Sequence, residues 1–595
     1  MTFQAITANL ELRTALHMGT GNDTETADDL LRRDARGRLL IPGTAIAGAL
    51  RSIATRLAPR LPGGSLCHAV QEKDPTKACG CLVCKLFGDV NPQENDETGN
   101  VARVLVYDAV LDSSDVQIRD NVGIDRVTGA AARRERIKFD LEVLPAQTKF
   151  KLRIEIDPKL KNDENALQLL AAVLAEWQAG RGAVGGRVSR GLGAFALNGA
   201  QFIQCDLNQV DKLMDTLRNG PPWKATDGNA DWVNSQVDGV RRKVVNWSPK
   251  MTSTTARSWA LAEFTLAATG PFLTHDLTQA GRSGFDHAPV LVAYAKGSKP
   301  VLPGSSLRAV LRSQAERIAR TLATQAAWDT ANPQQHFSDH CPACNPLTTK
   351  TDDPVASCNS FIKMLGKKER DILEQQGADR KLCLACRLFG STWNGSRLRV
   401  EDAPLKEGTT TQYKVLDFLA IDRFTGGGRD SAKFDAVVLW KPKFSVRLFL
   451  ENPEPWELGW LALVLRDLND GLATVGFGSA KGFGQCTIGN RKLTIGILHD
   501  TDFQHLLPDN QDAASKSADA AGERLLQVKG EPSGLYQQIV YAVPGQADWL
   551  LLANSWVKAF SEEVQHKSPH QRGNDSYFTP QANYRLPDLY PARVS

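Results

Sequence analysis

The chain repeats itself, and the repeat constrains everything else about its fold. LLIPGTAIAGALRS (39–52) returns as PVLPGSSLRAVLRS (300–313), CLVCKLFGD (81–89) as CLACRLFGS (383–391) and VYDAVL (106–111) as VEDAPL (400–405). GIDRVTG (123–129) returns as AIDRFTG (420–426), and VSRGLGAF (188–195) as SAKGFGQC (479–486). Five matches in one order mark a duplicated domain. The spacing between copies steps up between the first pair and the second, so copy two carries an insertion there, in a cysteine-rich stretch. Residues 1–205 form the first copy and 258–490 the second. The segment 206–257 is punctuated by Gly, Pro and Trp and reads as a linker with one short helix. Residues 491–595 match neither copy, and their end lacks helical or strand period, as an extended arm would.

Within each copy the pattern is mixed. After Pro42-Gly43, Thr44 can cap a helix with Ile46, Leu50, Ile53 and Leu57 on one face; after Pro303-Gly304, Ser305 starts the same helix with Leu307, Leu311, Ile318 and Leu322. RVLVYDAVL and SRLRVEDAPL alternate like half-buried strands, and LQLLAAVLAEW (167–177) and LGWLALVLRDL (458–468) are apolar helices. This order suits an α+β fold, an antiparallel sheet with helices on one face in the ferredoxin-like arrangement, twice over. With 595 residues, 42% hydrophobic and 23% charged, the chain is globular rather than disordered. A net charge of +4 is too weak to demand a nucleic-acid partner, so any basic surface must be local. No apolar run is long enough to span a membrane and no leader pattern opens the chain, so a soluble, cytoplasmic protein without membrane partners is expected.

Nine of the 11 cysteines fall in two regions. Without a leader such clusters read as metal sites before disulfides. Cys341-x-x-Cys344 and Cys383-x-x-Cys386 supply two thiolate pairs, which suit tetrahedral zinc, with Cys358 and His340 as spares. In copy one Cys79, Cys81 and Cys84 supply three ligands, and Cys67 or His68 the fourth. Four ligands leave no open position, so both zinc sites are expected to be structural.

GIDRVTGAAARRERIKF gathers Arg126, Arg133, Arg134, Arg136 and Lys138 between two strands, a basic excursion able to lie along a phosphate backbone. Its counterpart holds Arg423, Arg429 and Lys433. The Gly-rich loops GAVGGRVSRGLG (182–193) and VGFGSAKGFG (475–484) let backbone N–H groups approach an anion, beside Arg190 and Lys481. The Pro-Gly helices offer N-terminal donors, with Arg51 and Arg308 close behind.

The HMGTGND turn (17–23) before an acidic loop and the Pro-Gly helix, the CxxC[KR]LFG element, the IDR[VF]TG opening and the late Gly-rich loop resemble the RAMP superfamily. The resemblance is to the Cas-seven group, backbone subunits of type III CRISPR effector complexes, and the tandem pair is similar to the double-Cas-seven subunit of type III-D complexes. It implies two RRM-like domains with zinc-bound insertions that line up along a guide CRISPR RNA, with the basic excursions as thumbs separating bases. It implies target RNA, other RAMP subunits, a large polymerase/cyclase-like subunit and a small subunit as partners. It also implies cleavage of target RNA by a loop aspartate before the Pro-Gly helix, where a carboxylate takes the 2′-OH proton or holds Mg²⁺ or Mn²⁺. The best matches are Asp28, with Asp29 as rival, and Asp286, with Asp276 as rival. Their distances to Pro42 and Pro303 differ by three residues, and His287 beside Asp286 has no obvious counterpart. The alternative is a non-catalytic guide-RNA-binding subunit of the same kind of complex. A stand-alone processing ribonuclease would need a histidine site, for which His17 alone lies near a shared motif.

Overall fold

The computed structural model describes residues 2–21, 23, 27–67, 79–89, 101–111, 116–124, 131, 138–224, 228–248, 251–294, 297–328, 330–332, 341–345, 357–364, 382–506, 529–542 and 547–565. Strand β1 (Thr2–Leu12) buries Ile6, Ala8, Leu10 and Leu12, the period of two that lays one strand face on a core. It is followed by α1 (Gly43–Leu57), β2 (Val104–Val106), the hairpin β3 (Gln117–Val122) and β4 (Lys138–Val143), β5 (Lys149–Ile156), α2 (Glu164–Gln178) and β6 (Ala194–Asp206). Strands β2, β5, β1 and β6 are neighbours in that order, all antiparallel.

Copy two repeats this arrangement. Strand β7 (Ser258–Ala268), α3 (Gly304–Trp328), β8 (Leu398–Val400), the hairpin β9 (Gln412–Ile421) and β10 (Gly428–Trp440), β11 (Lys443–Glu451), α4 (Pro455–Asn469) and β12 (Cys486–Ile497) follow in turn. The sheet order is β8, β11, β7, β12, again antiparallel. Helix α3 has 25 residues against 15 in α1. Its extra turns bury Ala319, Ala323 and Ala327 in the core that also holds the inserted cysteines.

Three local expectations change. The Pro-Gly helix begins at Gly43 after Pro42, with no side-chain cap from Thr44. Instead Asp108 accepts the Gly43 N–H at 2.7 Å, and Asp402 accepts the Gly304 N–H at 2.8 Å. The linker carries two helices, Val210–Asn219 and Trp232–Arg241, and the second buries Val233, Val237 and Val240. Of the segment read as an arm, the described part packs on both copies, with Arg181 of copy one reaching the Ser533 hydroxyl at 2.9 Å. Strands β13 (Lys529–Ser533) and β14 (Tyr536–Ala542) extend the sheet of copy two beyond β12, and α5 (Ala547–Gln565) lies along α4 with Phe560 stacked on Trp460 at 5.1 Å. Gly459 permits that approach, since a Cβ there would collide with the Trp556 carbonyl.

The copies meet through ion pairs: Arg119 reaches Asp402 at 2.7 Å with both side chains buried, and Arg13 reaches Glu401 at 2.7 Å. Arg60 of copy one also pairs at 2.9 Å with Asp502 of the segment after copy two, both side chains essentially inaccessible. The Gly-rich loop of copy one abuts the start of α3, where a Cβ on Gly191 would fall 2.9 Å from Gly304 Cα. The Gly43 and Gly304 N–H groups are therefore occupied by carboxylates, which removes those donors from the anion site expected there.

Candidate metal centres and nucleic-acid interface

Two groups of four cysteines converge. Cys67, Cys79, Cys81 and Cys84 lie with their sulfurs within 4.8 Å of one another, as do Cys344, Cys358, Cys383 and Cys386. A tetrahedral ion with Zn–S of about 2.3 Å separates its sulfurs by about 3.8 Å. The Cys67–Cys84 and Cys344–Cys386 sulfurs stand 3.5 and 3.7 Å apart. In each group the first cysteine of CxxC stands at the N-cap of a short helix, Leu82–Phe87 or Leu384–Phe389, and the second rides within it. The expected second-site ligand Cys341 is not among the four. Its Sγ turns to the Ala343 carbonyl at 3.2 Å, and Cys358, brought round on the helix Cys358–Met364, takes its place. Of the alternatives in copy one Cys67 joins the group; His68 and His340 lie outside the described residues.

The donor set fits zinc electrostatically. Burial pushes Cys84 up to about 12 and holds Cys358 and Cys383 well above the ordinary thiol value, while hydrogen bonds from Cys358, Cys383 and Cys386 draw Cys344 well below it. Four crowded thiols with no cation support few thiolates at once; a divalent ion supplies the missing positive charge.

The hairpin roots carry acids that recur between copies. Asp28 gives its N–H to the Asp140 carbonyl at 2.9 Å and accepts the Asp140 N–H through Oδ2 at 2.7 Å. Asp286 gives its N–H to Asp435 Oδ1 and accepts the Asp435 N–H through Oδ2, both at 2.9 Å. Asp28 and Asp286 are thus equivalent in three dimensions despite their unequal distances to the proline, and both are exposed. Across each hairpin a second acid faces the first in register: Asp120 opposite Asp140, and Asp417 opposite Asp435. Like charges directly opposed destabilise a hairpin, and in each copy a lysine stands beside the pair, Lys138 at 3.6 Å from Asp140 and Lys433 at 3.4 Å from Asp417. Burial and then Asp120 raise the Asp140 carboxyl. Burial works against Asp120 too, but the Thr278 N–H at 2.8 Å helps hold it below its ordinary value. Asp276, the rival to Asp286, is buried as the cap of the helix Leu277–Ser283, and burial beside Asp120 pushes it up to about 6.

The rival to Asp28 has a different neighbour. Asp29 Oδ2 meets His17 Nε2 at 3.0 Å, and His17 Nδ1 lies 2.7 Å from the Glu142 carbonyl. In copy two His287 takes the place of Asp29, and His275, which stands at the place of Gly19, lies 3.4 Å from it. The backbone place of His17 is held by Leu273, whose carbonyl accepts the Phe477 N–H as that of His17 accepts the Gly186 N–H, and His287 replaces a carboxylate. Burial lowers both histidines, helped by His287 on His275 and by Lys481 on His287.

Beside these acids lie the Gly-rich loops. Arg190 and Lys481 are exposed on equivalent single turns, each followed by a left-handed glycine, Gly191 (φ 107°) and Gly482 (φ 78°). Lys481 Nζ sits 4.8 Å from the ring centres of both Phe434 and Phe477. Lys138, Arg423 and Arg429 are exposed on the hairpins. Arg126, Arg133, Arg134 and Arg136 lie outside the described residues. Two expected RNA contacts point inward instead. Arg51 donates to Cys84 Sγ at 3.6 Å, and Arg308 donates to the Phe389 carbonyl. Phe424, at the tip of the second hairpin, is 97% exposed on a turn held by Asp422, whose Oδ1 accepts the Phe424 and Thr425 N–H groups at 2.8 and 2.9 Å. The sequence signal for it was available, since IDRFTG stands where copy one has IDRVTG. Asp120, Asp140, Asp417 and Asp435 needed the strand register.

Comparison with known proteins agrees with this architecture. A family model of the RAMP superfamily matches residues 9–196 and again 287–487, the larger part of the chain. The CRISPR system Cms endoribonuclease Csm3 of Methanocaldococcus jannaschii is 27% identical over 173 residues, covering 27% of this chain and 64% of that protein. The chain thus spans just under two thirds of this relative's length. Among the described residues no helix is long and apolar enough to cross a membrane.

Proposed function

The chain belongs to the RAMP superfamily, and from that premise we propose that it is a guide-RNA-binding backbone subunit of a type III CRISPR ribonucleoprotein that cleaves the paired target RNA at Asp28 and Asp286. Its units are two ferredoxin-like domains, 1–205 and 258–490, a reading supported by the repeated sheet order. Its partners are guide RNA, target RNA, other RAMP subunits and the large and small subunits of such a complex, in the cytoplasm. Zinc in the two four-cysteine groups stiffens the loops beside the RNA face.

The observation that carries the catalytic reading is the reciprocal bonding of Asp28 with Asp140 and of Asp286 with Asp435. It anchors one exposed carboxylate at the same place on each hairpin root. Asp120 and Asp140 on the hairpin beside Asp28, and Asp417 and Asp435 on the hairpin beside Asp286, offer oxygen ligands of the kind that hard cations take, although among the described residues only the cysteine groups are close enough to hold an ion by themselves. Mg²⁺ or Mn²⁺ bound there supplies positive charge at the scissile phosphate. The protein's own share is positioning. Arg190, Lys481, Lys138, Arg423 and Arg429 hold phosphates without reading sequence. Phe424 offers a ring on which a base stacks, and holding the 2′-OH in line with the phosphorus removes much of the barrier. Asp28 or Asp286 takes the 2′-OH proton.

Mapping cuts on a complementary RNA tests this. The assembled complex should make two metal-dependent cuts per chain, with Asp28→Asn erasing one and Asp286→Asn the other while target binding survives. Both cuts persisting in both variants would overturn the assignment. One observation favours a second reading for copy two alone: His287 stands where copy one has Asp29, which leaves that centre one carboxylate poorer. In that reading copy two only binds RNA, and Asp286→Asn changes no cut.

A further inference from the structure

The two four-cysteine groups share a feature that their ligand lists do not contain. In copy one Arg51 Nη2 lies 3.6 Å from Cys84 Sγ, and in copy two Arg312 Nη2 lies 3.5 Å from Cys386 Sγ. Both arginines are the middle residue of the same LRS triplet of the Pro-Gly helix, and both sulfurs belong to the second cysteine of CxxC[KR]LFG. The Cys84 and Cys386 residues are 0% and 4% exposed, so each guanidinium meets its sulfur away from water. Arg312 is further oriented by Glu316 at 2.9 Å and the Gly390 carbonyl at 3.2 Å.

Four thiolates around a divalent cation carry a net charge of −2, and buried uncompensated charge is costly. A guanidinium donating N–H to one sulfur offsets part of that charge and draws electron density from the sulfur. The thiolate then competes less for protons and attacks electrophiles less readily, while the metal–sulfur unit gains from the nearby cation. A neutral buried thiol would gain little from a cation at this distance. The repetition of the contact in both copies, at sites whose ligand loops differ in length and spacing, therefore follows the charge of the cluster rather than local packing.

We propose that Arg51 and Arg312 are the charge-compensating positioning residues of the two zinc–thiolate clusters, each holding and shielding one thiolate, and that each ties its cluster to the Pro-Gly helix. This rests on the zinc reading above. The test uses the full chain loaded with zinc and needs no RNA. Arg51→Gln should release the copy-one zinc to a chromophoric chelator about 10–100-fold faster at fixed chelator concentration, the range by which outer-shell partners change metal affinity. N-ethylmaleimide should label Cys84 correspondingly faster, read by peptide mass spectrometry, while release and labelling at Cys344, Cys358, Cys383 and Cys386 stay as in the unaltered chain. Arg312→Gln should do the converse at Cys386. Arg51→Lys keeps the charge without the planar fork and should recover most of the release rate. Because Arg312 has other partners, Arg51→Gln decides the matter if Arg312→Gln does not fold. Two zinc ions in the unaltered chain with unchanged release and labelling in Arg51→Gln would overturn the proposal, as would equal acceleration at both sites. An unaltered chain without zinc would overturn the zinc reading, and the proposal with it.

Discussion

Two serine substitutions separate what the cysteine spacing suggests from what the fold builds. Spacing pairs Cys341 with Cys344, yet the described four-sulfur group contains Cys358 and leaves Cys341 bonded to the Ala343 carbonyl. In Cys341→Ser the new hydroxyl can give the same hydrogen bond from the same buried place, so the cost should be on the order of 1 kcal/mol. In Cys358→Ser one of four metal–sulfur bonds is lost. Structural zinc in small sites binds with about 10–16 kcal/mol, and an even share per ligand is about 3 kcal/mol, or roughly a hundredfold in affinity. The assay is zinc content after equilibration against a competing chelator, with the thermal unfolding midpoint measured on the same samples. Two zinc ions per chain should remain in Cys341→Ser and one in Cys358→Ser, with the larger midpoint drop in the latter. Zinc lost from Cys341→Ser and retained in Cys358→Ser would refute the placement of the insertion.

Other consequences are as direct. Phe424→Ala should weaken guide-RNA binding by about 1–3 kcal/mol if a base stacks there, with little change in its salt dependence; replacing Arg423 and Arg429 by Ala should flatten the salt slope instead. A weaker slope in Phe424→Ala would argue against stacking. Asp276, pushed up to about 6, is more protonated in the folded chain than unfolded. Its contribution is intact below its ordinary value near 3.8 and is lost as pH rises through about 6, so Asp276→Asn should stabilise the protein by on the order of 1 kcal/mol at pH 7 and hardly at pH 4. A pH-independent difference in denaturation midpoints would contradict this. Asp502→Ala strands Arg60, which is 0% exposed, and should destabilise the chain by about 3–5 kcal/mol. An unchanged midpoint would show that the pair does not hold the segment after copy two onto copy one.

The sequence alone determined the duplication, the mixed α+β class, the two cysteine regions and the Gly-rich loops with Arg190 and Lys481. All are patterns within short windows, where period and spacing report local geometry directly. It also carried the loop acids Asp28 and Asp286, though not their equivalence, because distance to a proline counts residues while the hairpin strand measures space. Only the tertiary structure decided what chain ends and insertions bring together. Cys358 displaces Cys341 because the insertion folds back on α3. Asp108 and Asp402 occupy helix N-termini from far along the chain, and the segment after β12 becomes sheet and helix because β12 leaves an open edge. Arg51 and Arg308 read as surface cations in a helical pattern, yet they face inward, since a helix face is polar or apolar only relative to what packs on it. Asp120 and Asp140, like His275, are unremarkable in sequence. Asp120 meets Asp140, and His275 meets His287, only through strand register and loop return, long-range pairings that no local period encodes.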